Sequence, residues 1–377
     1  MTGPGGPPAG PTRPMNRDRP RVCLLQVPPF AAGRTGTGAQ VVAAEIASAL
    51  AESADVTLLH GYTDDSPRAV HRDATGVLTV PAFRITAQTL RGTIAPHLTP
   101  VAREALDAAH LLVTMECTLS GGPAVPRVVC LGGFGYAHTF ELLDGGGWDR
   151  LVVPSRHLAD MLRRRVAEPD SVQVIENGID PDAFAPSRPA RTPAPPPGQP
   201  VRLLLPGRPD AIKGGAAVLD LARALAADGT PTTVYRMGGR RSPVAGRPDG
   251  HPGVTVADLP WRDRAAMPEL YRQADLTICF SGIPEGFNLA AVESIACGTP
   301  VLAWPAGALG TLLPPGHGIV LTDRDAGPQA WAAAARDALA GAWRDCREGR
   351  RYIRDRYDVS LMASRYRALV AQLLSAA

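Results

Sequence analysis

The segment from residue 185 to residue 200, APSRPARTPAPPPGQP, constrains the fold of this 377-residue chain more than any other stretch. Seven of its 16 residues are proline, which lacks the backbone N–H that helices and central strands need. The segment therefore predicts a semi-rigid linker. Because the chain is too long for one ordinary hydrophobic core, we expect a separate domain on each side of this linker.

Strand-like and helix-like segments alternate on both sides of the linker. Before it, runs of β-branched and aliphatic residues predict strands at 21–27, 55–60, 110–115, 127–131, 151–153 and 172–176. After it, strands are predicted at 201–205, 232–237, 276–280, 300–304 and 318–321, and helices near 214–227, 266–273, 287–297 and 328–341. Such alternation is typical of an α/β fold, and it predicts two Rossmann-like domains with doubly wound parallel sheets.

The same patterns give the domain boundaries. Residues 1–20 are rich in proline and glycine without an apolar stretch, and they predict a disordered tail. We expect the N-terminal Rossmann-like domain over 21–184 and the C-terminal one over 201–356, on either side of the linker at 185–200. The last segment, about 357–377, is amphipathic, and we expect it to form a helix that packs back on the N-terminal domain.

Composition argues against several classes of partner. The formal net charge is only +3, and basic clusters lie beside acids without interleaved aromatic residues, so nucleic-acid binding is not expected. No apolar run reaches the roughly 18 residues needed to span a bilayer. The six cysteines are scattered without a Cys-x-x-Cys pair, so we interpret them as reduced thiols and predict a cytoplasmic protein. The sequence leaves the oligomeric state open.

The segment GRPDAIKGG, residues 207–215, holds the only lysine of the chain. Gly207 and Arg208 follow the first strand after the linker, and Lys213 lies at the start of the next helix. Two cations at a strand tip beside a helix N-terminus predict an anion site. Arginine offers a planar fork, whereas lysine offers a compact point charge. We hypothesise that a phosphate bound by Arg208 needs the smaller ammonium of Lys213 as its second cation; chance survival of a single lysine is the alternative.

A second motif, SGIPEGFNLAAVESIACGTPV at residues 281–301, carries two glutamates eight residues apart. In a helix predicted to begin near Phe287, Glu285 and Glu293 would lie roughly 12 Å apart. Carboxylates are good acceptors for vicinal diols, and the free amides at a helix N-terminus face an anion. Glu293 has apolar neighbours on both sides, so burial of its charge would be costly without a ligand partner. A structural salt bridge is the alternative role for Glu293.

These two motifs, together with VIENGID at 174–180 and ELYRQADLTICFS at 269–281, resemble the donor-site signatures of the retaining family-4 glycosyltransferases. That family has the B-type fold, in which two Rossmann-like domains face a central cleft. The resemblance runs from about residue 21 to the C-terminus and is stronger in the second half. It implies transfer of a sugar from a nucleoside diphosphate sugar, with retention at the anomeric carbon. The sugar nucleotide is a co-substrate, so no cofactor is expected.

The resemblance also implies roles for individual residues. Arg208 and Lys213 would hold the donor diphosphate during catalysis, and Glu293 would bind the ribose hydroxyls. Glu285, a further catalytic residue, would hold the sugar ring together with the amides at the helix start. The glycine-rich loop 33–38 would close on the diphosphate from the N-terminal domain. The complete predicted donor site comprises Gly38, Gly207, Arg208, Lys213, Glu285, Gly286, Phe287, Asn288, Leu289 and Glu293.

The N-terminal half departs from the family pattern. Members usually have a histidine at the tip of the strand that matches 127–131, but this tip reads CLGGFGYAH, with Gly132 and Gly133 before His138. His138 is thus a candidate for catalysis or acceptor binding, and a plain loop or core histidine is the alternative. Glu116, at the tip of the preceding strand, is either an acceptor contact or a loop carboxylate without function.

Two other ligand classes fit the sequence less well. Asp-x-Asp triplets, which bind divalent ions in many glycosyltransferases of another fold, occur at 180–182 and 323–325. The first leads into the linker and the second is placed to cap a helix, so we predict no metal. The stretch GTGAQV at 36–41 begins like a dinucleotide-binding Gly-x-Gly-x-x-Gly, but Val41 replaces the third glycine. The second strand also ends in His60, where a ribose-binding acid is expected, so a nicotinamide enzyme is not expected.

The predicted reaction is a metal-independent, retaining transfer of a hexosyl group to a hydroxyl of a small-molecule acceptor. The sequence does not reveal the nucleotide base or the sugar, and we favour a UDP-sugar. Because the chain lacks a clear basic amphipathic helix, we expect a soluble acceptor, such as a natural-product or antibiotic scaffold, over a membrane lipid. The alternatives are a nucleotide-sugar epimerase or a phosphorylase of the same fold, and a non-catalytic nucleotide-sugar-binding subunit.

Overall fold

The computed structural model describes residues 19–27, 38–64, 69–90, 94–117, 119, 122–133, 138–186, 198–237, 250–260 and 262–376. These residues form two sheets of mainly parallel strands, one before the proline-rich segment and one after it. Helices connect the strands, which confirms the predicted α/β class with two doubly wound sheets. Most of the predicted tail and linker, and the glycine-rich loop up to residue 37, lie outside the described residues.

The N-terminal sheet has eight strands: β1 Arg21–Gln26, β2 Asp55–Tyr62, β3 His71–Arg72, β4 Leu78–Arg84, β5 Leu111–Met115, β6 Arg127–Cys130, β7 Arg150–Val153 and β8 Val172–Val174. Their order is β3-β4-β2-β1-β5-β6-β7-β8, and only β3 runs antiparallel to its neighbour. The helices are α1 Gly38–Leu50, α2 Ala87–Leu90, α3 Pro100–Asp107, α4 His138–Gly145 and α5 Arg156–Arg163. The strand order reverses between β1 and β5, and ligands bind beside the carboxyl ends of strands at such a switch point.

The C-terminal sheet has six parallel strands: β9 Val201–Leu205, β10 Thr232–Met237, β11 Val254–Leu259, β12 Leu276–Cys279, β13 Val301–Ala303 and β14 Ile319–Leu321. Their order is β11-β10-β9-β12-β13-β14, with the switch point between β9 and β12. The helices are α6 Gly215–Ala227, α7 Met267–Gln273, α8 Leu289–Ala296, α9 Pro328–Asp337, α10 Trp343–Arg356 and α11 Val359–Ala376. Segments that follow β9 and β12 therefore lie next to each other.

Each sheet has an apolar core on both of its faces, as a doubly wound fold requires. In β1, Val22 and Leu24 pack in the core that contains α1, whereas Cys23 and Leu25 pack in the core that contains α3. Successive side chains of a strand point to opposite faces, so a strand buried on both sides is apolar throughout. This is why β1 reads as a continuous apolar run.

The last helix, α11, leaves the C-terminal domain and completes the core of the N-terminal domain. Five of its side chains are buried in the core that contains α1: Met362, Tyr366, Leu369, Val370 and Leu373. The chain crosses between the domains beside Ile179, whose N–H donates to the Tyr357 carbonyl at 2.8 Å. The Val359 N–H donates in turn to the Ile179 carbonyl at 2.9 Å. The domains are therefore joined by this crossing as well as by the proline-rich segment.

The sequence patterns do not predict β3, β4 and β11. β4 contains Pro81, and a proline within an apolar run argues against a central strand. In the structure β3 pairs only with Leu78 and Thr79, so Pro81 has a strand neighbour on one side alone, which is an edge position that tolerates proline. β11 is also an edge strand and is only half-buried, so it lacks the alternation that marks a strand.

Candidate active site

A cavity of about 460 Å³ lies where the carboxyl ends of strands from both sheets meet. The N-terminal domain lines it with the start of α1 and the residues after β5 and β6. The C-terminal domain lines it with the residues after β9 and β12 and with the start of α8. Of the ten predicted donor-site residues, all but Gly286 line this cavity. The nine lining residues are Gly38, Gly207, Arg208, Lys213, Glu285, Phe287, Asn288, Leu289 and Glu293.

The loop between β9 and α6 is held in shape by Asp210. Its Oδ1 accepts a hydrogen bond from the Lys213 N–H at 3.0 Å, and its Oδ2 lies 3.3 Å from Nε of Arg208. Gly214 has a φ of +71°, and a Cβ there would lie 2.2 Å from the Phe280 carbonyl oxygen. Only glycine fits this position, and the turn it allows carries Lys213 to the cavity.

Lys213 and Glu285 form an ion pair across the switch point of the C-terminal sheet. The distance from Lys213 Nζ to Glu285 Oε1 is 2.6 Å, and the two side chains are 35% and 14% exposed. A charge-assisted bond of this kind fixes both groups at the cavity wall. Arg208, predicted as the second cation, is 62% exposed and lies beside Asp210 instead.

Helix α8 starts at Leu289, two residues later than predicted, because Asn288 caps it. Asn288 has a φ of +98°, and its side-chain oxygen accepts a hydrogen bond from the Ala291 N–H at 3.0 Å. Helix α1 begins nearby, since a Cβ on Gly38 would lie 3.7 Å from Cδ1 of Leu289. The positive ends of two helix dipoles therefore converge on one side of the cavity, which suits an anionic ligand.

Glu293 is buried, as expected, but it has protein partners. Arg264 Nη1 donates to Oε1 at 2.5 Å, and the Tyr271 hydroxyl donates to Oε2 at 2.8 Å. Burial raises the pKa of Glu293, and the charge of Arg264 and both hydrogen bonds oppose that rise. The alternative role given for Glu293, a structural salt bridge, is therefore present. Whether the carboxylate also binds ribose stays a prediction.

Sequence reasoning missed Arg264 and Tyr271. They are seven residues apart around the start of α7, so both project toward α8 from one side of that helix. Tyr271 belongs to the segment at 269–281 that carries the family resemblance, and that was the available signal. Arg264 precedes that segment and belongs to no motif.

The N-terminal side of the cavity is lined mainly by glycine and apolar residues. Glu116 and Gly132 line it at the ends of β5 and β6, and the Gly132 carbonyl approaches Gly286 of the C-terminal domain. His138 begins α4, but its side chain and residues 134–137 lie outside the described part of the chain. The proposed roles of His138 in catalysis or acceptor binding stay predictions.

The Asp-x-Asp triplets shape the backbone. Asp180 Oδ1 accepts a hydrogen bond from the Asp182 N–H at 2.8 Å, and Asp323 Oδ1 accepts one from the Asp325 N–H at 2.9 Å. Within the described residues no group of three or more His, Cys, Asp or Glu side chains could hold a metal ion. In the same part of the chain, no helix combines the length and the apolar character needed to cross a bilayer.

Sequence comparison identifies a family model that matches the C-terminal domain and relatives that align with about half of the chain. Residues 201–341 match the family model described as glycosyl transferases group 1. The chain is 34% identical over 221 residues to a D-inositol 3-phosphate glycosyltransferase of Salinispora tropica, a match that covers 52% of this chain and 45% of that protein. A protein of the same name from Xylanimonas cellulosilytica is 30% identical over 221 residues, and this match covers 53% of this chain and 50% of that protein. The chain thus spans about half the length of the curated relatives it matches.

Structural comparison extends over both domains. Sucrose-phosphate synthase from Thermosynechococcus elongatus superposes with a TM-score of 0.73 at 20% sequence identity. The superposition covers 95% of this chain and 100% of the synthase chain. Anabaena HepE in complex with UDP-glucose gives a TM-score of 0.68 at 17% sequence identity, and the superposition covers 93% of this chain and 99% of the HepE chain. At these identities the likeness establishes the fold. Residues 201–341 are therefore similar to the group 1 glycosyltransferases, and the chain as a whole has the B-type glycosyltransferase fold of two Rossmann-like domains.

Proposed function

We propose that this protein transfers a hexosyl group from a nucleoside diphosphate sugar to a hydroxyl of a small-molecule acceptor, with retention at the anomeric carbon. The observation that carries the proposal is the Lys213–Glu285 ion pair in the interdomain cavity. It holds a cation suited to a diphosphate beside a carboxylate suited to sugar hydroxyls. A sugar diphosphate presents these two kinds of group next to each other, at its anomeric carbon.

Electrostatics explain how such a site would speed the reaction. Cleavage of the bond between the anomeric carbon and oxygen builds negative charge on the leaving diphosphate. Lys213 and the N-termini of α1 and α8 line the cavity in which we place that diphosphate, and Arg208 lines it beside Asp210. Preorganised groups need no rearrangement in the transition state, and removal of one typically costs about 2.7–4 kcal/mol.

Glu293 is the residue we assign to the donor ribose. Each of its oxygens accepts one hydrogen bond, from Arg264 and from Tyr271. A carboxylate has about four acceptor sites, so two ribose hydroxyls could bind in addition to these donors. Arg264 would then keep the carboxylate ionised while the nucleotide covers it. Metal and cofactor are not required by this assignment, since cations and helix dipoles supply the positive charge.

The relatives support a choice of substrates. HepE was crystallised with UDP-glucose, which favours a UDP-sugar as the donor here. The curated relatives are named for D-inositol 3-phosphate, a small hydroxylated molecule, which supports a small-molecule acceptor. A natural-product or antibiotic scaffold is our preferred acceptor class, and the cytoplasm is our preferred location.

A thermal-shift screen with UDP, GDP and dTDP tests the donor assignment. A ligand at 100 times its Kd stabilises a protein by about 2.7 kcal/mol, so we expect one nucleotide to raise the Tm by several degrees. The matching sugar nucleotide is then incubated with a panel of hydroxylated acceptors, and the anomeric configuration of the product is determined by NMR. A Tm unchanged by all three nucleotides would contradict the proposal.

Two further outcomes of that experiment identify the alternatives. An epimerised sugar from the donor alone would indicate a nucleotide-sugar epimerase. A clear thermal shift without turnover of any acceptor by the pure protein would indicate a binding subunit that needs a partner chain.

A further inference from the structure

Glu116 stands at the end of β5 in a backbone conformation that few side chains adopt. Its φ is +55°, and among the described residues only Asn288 shares a positive φ without being glycine. Asn288 lies across the cavity at the start of α8, so both exceptions line the same site. Such strain persists where the surrounding structure enforces it, and it clusters at functional sites.

The Glu116 carboxylate fills the space that a side chain at position 132 would need. A Cβ on Gly132 would lie 2.7 Å from Glu116 Oε1, so the carboxylate lies directly against the Gly132 backbone. The Glu116 N–H donates to the Cys130 carbonyl at 2.8 Å. The residues at the end of β6 therefore fix both the backbone and the carboxylate of Glu116, and this leaves acceptor sites on the carboxylate that a substrate hydroxyl can use.

Gly132 also touches the domain that we propose binds the donor. A Cβ on Gly286 would lie 1.8 Å from the Gly132 carbonyl oxygen, so the two backbones are in contact. Gly286 directly follows Glu285, whose carboxylate is paired with Lys213. Glu116 is thus separated from the proposed sugar-binding loop by the backbone of one glycine.

Building on the proposed function, we propose that Glu116 binds the attacking hydroxyl of the acceptor and takes its proton. The hydroxyl oxygen bonds to the anomeric carbon on the face from which the diphosphate departs, as the proposed retention requires, while the bond from that carbon to the diphosphate oxygen breaks. The electron pair of the broken bond leaves with the diphosphate beside Lys213, and the proton passes to Glu116 and then to solvent. Of the described N-terminal residues that line the cavity, Glu116 alone carries a carboxylate.

The local environment suits a proton acceptor. Burial raises the pKa of Glu116, and the hydrogen bond from Gly132 limits that rise. A general base is most effective when its pKa lies near the working pH. The neighbouring thiols do not compete for the proton, because burial raises the pKa of Cys117 and of Cys130 to about 12.

The variant Glu116→Gln tests the proposal and keeps the size of the side chain. The probe is the sugar nucleotide selected by the thermal-shift screen, with either water or the acceptor found there as the attacking group. We expect release of the nucleoside diphosphate to fall by about 10²-fold or more, the usual contribution of a general base. The Kd for the nucleotide, measured by calorimetry, should stay within about twofold, since the proposal places Glu116 on the acceptor hydroxyl. The control Glu104→Gln removes an exposed carboxylate from α3 and should match the wild type.

A second variant displaces the carboxylate without changing its charge. Gly132→Ala forces Glu116 Oε1 to move, and we expect the rate to fall by about tenfold or more because small misplacements of a catalytic group are costly. A rate within twofold of wild type in both variants overturns the proposal, as does a Kd that weakens in step with the rate. A wild-type protein that binds no sugar nucleotide overturns the proposed function as well. If the wild-type protein is active and both variants keep its rate, only the role of Glu116 is overturned.

Discussion

The two walls of the cavity use different means to shape the same site. The C-terminal wall holds ion pairs, with Lys213 against Glu285 and Arg264 against Glu293. The N-terminal wall, in its described part, is lined mainly by glycine and apolar residues, and Glu116 is its one charged side chain. Charged side chains are therefore concentrated in the wall that we propose binds the diphosphate. The other domain supplies close backbone approach and, by our proposal, a single proton acceptor.

The largest expected effect concerns the ion pair of the C-terminal wall. Lys213→Ala and Glu285→Ala should each lower kcat by about 10²–10³-fold, since each removes a preorganised charge next to the reacting bond. Thermal unfolding should change little, because both side chains are partly exposed. The control Arg336→Ala removes an exposed pair with Asp228 and should leave kcat unchanged. Near-normal turnover in both test variants would contradict the assignment of this wall to the donor.

A smaller effect is expected where the C-terminal wall is buried. Glu293→Gln keeps the hydrogen bond from Tyr271 but leaves Arg264 without its counter-charge. Loss of one partner from such a pair lowers the free energy of unfolding by about 1–3 kcal/mol. We therefore expect a lower Tm in thermal unfolding, together with weaker nucleotide binding. Glu269→Gln, an exposed carboxylate on α7 paired with Arg272, is the matched control. Unchanged stability and unchanged binding would show that the Glu293 charge has no role in either.

The smallest expected effect tests the backbone contact between the walls. Gly286→Ala places a Cβ 1.8 Å from the Gly132 carbonyl, so the domains must move apart at that point. We expect kcat to fall by about tenfold through misplacement of the two walls, with little change in Tm. Gly341→Ala, where a Cβ has open space, is the control. An active Gly286→Ala variant would mean that the close approach is unnecessary for turnover.

Most residues of the predicted donor site line one cavity because they belong to two short motifs that each follow a strand. The motifs at 207–215 and 281–301 each follow a strand, and strands on either side of a switch point bring their ends together whatever the rest of the fold does. The partner of Glu293 could not be found in this way, since Arg264 lies 29 residues upstream and outside both motifs. That pairing depends on how α7 packs against α8, which no local pattern specifies.

The N-terminal domain was harder to predict for the same physical reason. β4 was missed because a strand with Pro81 is tolerated only at an edge, and edge position is a property of the whole sheet. Glu116 could not be distinguished from an ordinary loop carboxylate, because its φ and its fit against Gly132 arise only when β5 and β6 pair. The alternatives left open in the sequence for His138 remain open.

Helix α11 makes the order of synthesis matter for this molecule. The residues that complete the N-terminal core, from Met362 to Leu373, follow the whole C-terminal sheet in the chain, so they are synthesised after it. Until then α1 and β1 expose the apolar surface that α11 will cover. Truncation within α11 would thus damage the N-terminal domain, although the break lies on the far side of the C-terminal domain.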